Sequence, residues 1–303
     1  MLDTELQNAG RPRRERIKAQ FSGWMIILPA VVLFAFFIWV PLAETVRLSL
    51  FNVQGIDAVK FVGLQNFLAV FKDADFKPAV VNSFLYTFWS LIIGFLAPII
   101  IAMFLNEVVH FRGLFRVGSY LPNVVPGLAT ILMWMYLFGA GPTGVINMLL
   151  HDTFGISPQD WLNNPHAVIP VIVVIMTWKG AGATALIYLA GLQGVNPELY
   201  EAAAIDGAGV WKRIRHITVP NLYNLGRTLL IIQIISVFQI LYEPLVLTSG
   251  GPADASMSLM LLMYNYAFVN MDYARASAVS VIIAVILILL TTVYNTAVKR
   301  QDI

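Results

Sequence analysis

The chain has 303 residues, 58% hydrophobic and 12% charged, with a mean hydropathy of +0.75 and a formal net charge of +2. A soluble domain carries about twice that share of charge, so the composition excludes one and points to a polytopic membrane protein. The absence of cysteine excludes disulfides, thiol catalysis and cysteine-ligated metals.

Residues 1–21 form a basic tail with Arg11, Arg13, Arg14, Arg16 and Lys18. Charge alone would suit a nucleic acid. A tail beside a span fits membrane topogenesis instead, and no nucleic-acid partner is expected. From about Gly23 to Val46 the chain is apolar. This run is too long for a signal-peptide core and has no small-residue cleavage site after it, so an uncleaved first span is expected. Five further runs, roughly 80–106, 115–139, 166–193, 222–247 and 274–298, can each cross about 30 Å of hydrocarbon. The expected fold is an all-α polytopic membrane protein with six transmembrane helices. Residues 1–21 are its tail, 22–298 its membrane domain and 299–303 its C-terminus.

Lys and Arg concentrate on the tail's side. Arg112, Arg116, Lys212, Arg213, Arg215, Arg227, Lys299 and Arg300 join the tail, against Arg47, Lys60, Lys72, Lys77 and Arg275 opposite. By the positive-inside bias, both termini and the 194–221 loop are expected in the cytoplasm, with the chain in the cell (inner) membrane.

The first outward loop, about 48–78, contains Phe61-Val62-Gly63-Leu64-Gln65-Asn66-Phe67, which reads as a turn at Gly63 between apolar contacts. In the second span Asn82, Ser83, Tyr86, Thr87 and Ser90 suit either hydrogen bonding between helices or a polar pathway. Arg112 to Arg116 reads as a tight inward loop. In the third span Pro122, Pro126 and Gly127 should bend the helix and release carbonyls. The loop at 140–165, with Gly141-Pro142 and no Lys or Arg, suggests a shaped surface.

The fourth span carries Trp178 and Lys179 near its middle. An intramembrane lysine is costly and points to substrate contact, an ion pair between helices or a water-filled cavity. In the fifth span Gln233, Ser236, Gln239 and Glu243 recur every three or four residues, so they fall near one face. Such groups can bond sugar hydroxyls, or can form a structural seam. Residues 248–272 open with Ser249-Gly250-Gly251-Pro252 and hold an apolar run, Met257–Met263, too short to cross alone. The sixth span is plain aliphatic sequence and is expected to face lipid or to pack passively.

Between the fourth and fifth spans, residues 196–221 read as two short helices end to end. Asn196 suits an N-cap, Pro197 the first helical position and Glu198 the first turn. Leu199, Ala202 and Ala203 share a face, and the small alanines admit close approach. Gly207 stops the first helix. Val210, Ile214 and Ile217 line the second, with Lys212, Arg213, Arg215 and His216 around it, and Pro220 is expected to end it.

Glu201-Ala202-Ala203, Asp206-Gly207-Ala208 and Ile217-Thr218-Val219-Pro220 together resemble the EAA motif of ABC importer permeases. Ile214 stands where many members carry Phe. The Phe61–Phe67 and Ser249–Pro252 segments, and Tyr264-x-Tyr266-Ala267-Phe268, resemble the carbohydrate branch, the maltose, lactose and glycerol-phosphate type. The resemblance implies the type I, MetI-like permease fold. It implies a second, similar permease subunit, two ATPase subunits and an extracytoplasmic solute-binding protein as partners, all within a lipid bilayer. The loop would be the coupling helix, with Glu198, Glu201, Ala202, Ala203, Asp206, Gly207, Ala208, Ile217 and Pro220 at the ATPase contact. Glu201 would touch the ATPase, Gly207 set the bend and Asp206 help hold the two helices.

No phosphate-binding GxxxxGK[ST] occurs, the four histidines are scattered, and neither GxSxG nor HExxH is present. No enzyme, cofactor or metal is therefore expected, and ATP hydrolysis falls to a partner chain. Two rivals remain at this stage: an ABC permease for a non-sugar solute, and a secondary transporter without an ATPase.

Overall fold

A computed structural model describes residues 13–107 and 110–299, with side chains over 23–107 and 110–298. The tail before Arg13 and residues 300–303 lie outside the described residues. Helix α1 (Arg13–Phe34) already takes in the tail's later basic residues, and a π turn joins it to α2 (Val40–Ser49). No residue from 23 to 48 is buried within the chain, although the run is strongly apolar. Such a surface is stable only against lipid or another protein.

Strands β1 (Phe51–Gln54) and β2 (Asp57–Phe61) form an antiparallel hairpin that the helix-only expectation lacked. Gly55 supplies its left-handed turn residue, at φ 62°. Helix α3 (Gln65–Lys72) follows. Gly63 turns the chain at φ 61°, and Asn66 Nδ2 donates to the carbonyls of Ser49 and Phe51, both at 2.9 Å. Asn66 thus latches the hairpin to the end of the first span.

The second span is α4 (Phe76–Trp89), a π turn at Ser90–Gly94 and α5 (Leu96–Glu107). The third is broken: α6 (Arg112–Val124) and α7 (Gly127–Leu137) meet at 95°. Arg112 to Arg116 is the start of α6 and not a loop, because Phe111 makes the turn itself at φ 56°. α8 (Val145–Phe154) shapes the loop between the third and fourth spans, and α9 (Val168–Gln193) is the fourth span.

The fifth span is α12 (Val219–Phe238), preceded by α10 (Pro197–Ile205) and α11 (Val210–Arg213) and followed by α13 (Tyr242–Leu247). α14 (Leu259–Tyr264) lies in the segment after it, and α15 (Tyr273–Lys299) is the sixth span. Five described helices are long and apolar enough to cross a membrane, and the broken pair makes six.

The polar face of the second span is structural. Asn82 donates to the carbonyls of Asp254 and Met257 at 2.7 and 3.0 Å, and Tyr86 to that of Ser256 at 3.0 Å. Ser83 Oγ accepts from the amide of Leu259 at 3.0 Å. These bonds satisfy an irregular buried backbone that water would otherwise have to reach. α14 is thereby held in one apolar cluster with α3 and the first half of α15. The sixth span is not a passive belt: Ala274, Ala276, Ala278 and Val279 are buried, the last three of them in that cluster.

Candidate functional site

The loop over 196–221 is built from its own backbone chemistry. Asn196 Oδ1 accepts from the amide of Glu198 at 3.1 Å, capping α10, and Pro197 occupies the first helical position. At the other end, Ala208 N donates to Ala203 O at 2.8 Å and Gly207 N to Ala204 O at 3.1 Å. This crossed pair is the Schellman closure, and it needs a left-handed residue, supplied by Gly207 at φ 75°. Asp206 is exposed, and its carboxylate makes no hydrogen bond or ion pair among the described residues. The backbone pair alone closes the helix.

After Gly209 the chain re-enters a helix and does not stop at Pro220. α11 runs through a π turn at Ile214–Thr218 directly into α12. The extra residue of the π turn, with Val219 N donating to Ile214 O, brings Pro220 in where a regular helix would lose a bond. Asn221 Nδ2 donates to the carbonyl of Ile217 at 2.7 Å. From Val210 to Phe238 is thus one rod. Tyr200 OH and Thr218 Oγ1 share a hydrogen bond at 3.0 Å, tying α10 to that rod at its π turn.

Glu198, Glu201 and Ala202 are exposed on α10, while Ala203, Ala208 and Ile217 are half-buried. Ile205 and Trp211 were not singled out in the sequence, yet they are 87% and 82% exposed. Both flank the Gly207 corner. A tryptophan in a basic polar loop was the available signal, since large exposed apolar groups mark a contact surface.

The second group of expected site residues does not assemble as one face. Lys179 Nζ donates to the carbonyl of Val125 at 2.6 Å. Trp178 packs edge-on to Trp134 at 5.5 Å between ring centres. Gln233 Nε2 donates to the carbonyl and hydroxyl oxygens of Ser90 at 2.9 and 2.6 Å, filling the π turn of the second span. α12 ends at Phe238, so Gln239 and Glu243 leave the helical face that their spacing suggested. Gln239 bonds back to the carbonyl of Ile235 at 3.2 Å. Gln233 and Ser236 do meet, on the wall of a cavity of about 230 Å³ shared with Ser90, Thr177 and Thr184. No group of three His, Asp or Glu able to hold a metal occurs among the described residues.

The sequence pattern of the family described as "Binding-protein-dependent transport system inner membrane component" matches residues 94–302. The chain belongs to that family. The arabinooligosaccharides transport system permease protein AraP of Bacillus subtilis (strain 168) is 34% identical over 84% of this chain and 81% of its own. The trehalose/maltose transport system permease protein MalF of Thermococcus litoralis is 34% identical over 90% and 92% respectively. A chain in the crystal structure of a bacterial ABC transporter involved in the import of the acidic polysaccharide alginate superposes with a TM-score of 0.81. It is 25% identical, over 94% of this chain and 98% of that one. In this permease component, the matched region opens at the last residue of the second span's π turn and takes in the cavity wall apart from Ser90, the broken span and the whole 196–221 loop.

Proposed function

We infer that this permease subunit passes a sugar or sugar-like solute across the inner membrane, with the solute delivered by an extracytoplasmic binding protein. A second, similar permease completes the pathway, and ATP is hydrolysed on separate ATPase chains. Both termini and the 196–221 loop lie on the cytoplasmic side, where the loop docks on the ATPase. The observation that carries this reading is the loop's construction: a capped, closed corner presenting Ile205 and Trp211, continuous with the fifth span. The sugar assignment is supported by the names of the relatives and by the hydroxyl and amide lining of the cavity.

The geometry supports a lever. When the ATPase pair closes, Glu198, Glu201 and the alanine face move with it, and the Tyr200–Thr218 bond carries the displacement into the rod. The fifth span then shifts as a rigid piece, and the pathway changes from inward to outward facing.

The chain has no cysteine, so Ala202→Cys is a clean reporter. In vesicles holding the full transporter, the introduced thiol should cross-link to an ATPase chain and be shielded from an impermeant thiol reagent outside. Uptake of an oligosaccharide should require ATP and the binding protein. Labelling from the outside, or uptake driven by an ion gradient without nucleotide, would overturn the reading.

A further inference from the structure

The cavity of about 230 Å³ lies where the second, fourth and fifth spans meet, and one amide on its wall has a fixed orientation. Gln233 Nε2 donates to the Ser90 carbonyl at 2.9 Å and to Ser90 Oγ at 2.6 Å. A carbonyl only accepts, so the nitrogen of this amide, not its oxygen, must face Ser90. The same carbonyl takes the Phe95 N–H at 2.9 Å, which closes the π turn. Gly94 makes room for the amide. A Cβ there would stand 2.8 Å from Gln233 Nε2, 3.0 Å from Ser90 Oγ and 3.2 Å from Thr177 Oγ1.

With its nitrogen engaged, the amide leaves its oxygen for the cavity. Gln233 Oε1 makes no hydrogen bond among the described residues, and neither do the hydroxyls of Thr177, Thr184 and Ser236 on the same wall. An amide oxygen accepts only, whereas a hydroxyl donates or accepts. Met176, Leu229, Ile232 and Val237 supply most of the apolar remainder. Among the described residues the wall includes no ionisable side chain. Lys179 neighbours it in sequence, but its ammonium is held by the Val125 carbonyl.

We propose that Ser90 holds Gln233 as a fixed acceptor, and that this wall takes uncharged sugar rings and rejects uronates, the sugar acids that carry a carboxylate. A ring hydroxyl can donate to Gln233 Oε1 and accept from the threonine and serine hydroxyls. A carboxylate at the same point sets two acceptor-only groups against each other. It also gives up water with no cation to meet it, which is costly away from solvent. Ser90 acts here as a positioning residue and Gln233 as the group that meets the solute. The proposal rests on the sugar reading above and narrows it, and the two can fail separately.

The test uses the assembled transporter in nanodiscs, without the binding protein, and two probes that differ only at one ring substituent: methyl glucoside and methyl glucuronide. Saturation-transfer NMR titrations at neutral pH give the ratio of their dissociation constants. The wild type should bind the glucoside at least ~10-fold more tightly, as an unpaired charge demands. Ser90→Ala removes one of the amide's two anchors and lets its N–H groups turn to the solute, so the ratio should fall several-fold. Ser90→Thr keeps the hydroxyl and should keep the wild-type ratio. Gln233→Lys places a cation on the wall and should reverse the preference. A merely structural Ser90 would weaken both probes alike and leave the ratio unmoved. Equal binding of the two probes by the wild type, or an unchanged ratio in Ser90→Ala, would overturn the proposal and leave the sugar reading standing. Binding of neither probe would overturn both.

Discussion

Lys179 on the fourth span caps the broken third span: its ammonium donates to the Val125 carbonyl across 2.6 Å. Pro126 follows Val125 and has no N–H, and it holds Val125 in extended backbone at ψ 132°. The carbonyls ending α6 therefore lack helical donors, at the helix end where the dipole favours a cation. An intramembrane lysine that sequence alone could assign to substrate has a structural partner. Lys179→Met should cost about 1–3 kcal/mol, the penalty of an unpaired buried acceptor. The thermal unfolding midpoint of the assembled transporter should fall while the KM for sugar stays near wild type. A large KM change with unaltered stability would return Lys179 to the pathway.

Gly182 marks the closest approach of α6 and α9. A Cβ placed there would stand 1.8 Å from the Ser119 carbonyl oxygen, so even alanine forces the two helices apart. Overpacking of this kind costs about 1–3 kcal/mol. Gly180→Ala is the control, because nothing lies within 4 Å of its Cβ position. The yield of folded transporter in mild detergent should drop for Gly182→Ala and hold for Gly180→Ala. Equal yields would mean that the α6–α9 contact yields without cost.

How far the sequence could be read depended on the range of each interaction. The spans and the Asn196 and Gly207 ends of α10 follow from composition and spacing within a few residues, and they stand where expected. The bend at Pro126 was legible too, but its 95° was not, since α9 sets it through Gly182 and Lys179. Gln233 reaching Ser90, and Asn82 reaching the 254–257 backbone, join residues more than a hundred positions apart. No local spacing encodes such pairs, so polar residues that look like a pathway also fit a seam. The continuity of α11 with α12 is not legible in the sequence, because a proline ordinarily ends a helix and only the π turn makes room for it.

Gly207 should behave unlike its neighbour Gly209. Gly207 sits at φ 75°, where a side chain costs about 1–2 kcal/mol, whereas Gly209 is extended at φ −65° and ψ 167°. Neither position has an atom within 4 Å of its Cβ, so any difference is conformational and not steric. Gly207→Ala should weaken the Schellman closure and reduce sugar-stimulated ATP hydrolysis several-fold more than Gly209→Ala does. Stimulation that survives Gly207→Ala intact would show that the corner is not part of the lever.

Asp75, just before the helix that begins the second span, supplies a pH test. Burial, then the carboxylates of Asp254 and Asp73, raise its pKa above the ordinary aspartate value. The folded chain therefore holds this proton more tightly than the unfolded chain does. Its contribution to stability is greatest below the unfolded value and is lost as pH rises through the raised folded value. Asp75→Asn removes the titration and, near neutral pH, the repulsion as well. Unfolding midpoints of wild type and Asp75→Asn should converge as pH falls into the carboxylate range, with the variant the more stable at neutral pH. A gap that stays constant with pH, or a less stable variant at neutral pH, would mean that the three aspartates do not repel across this corner.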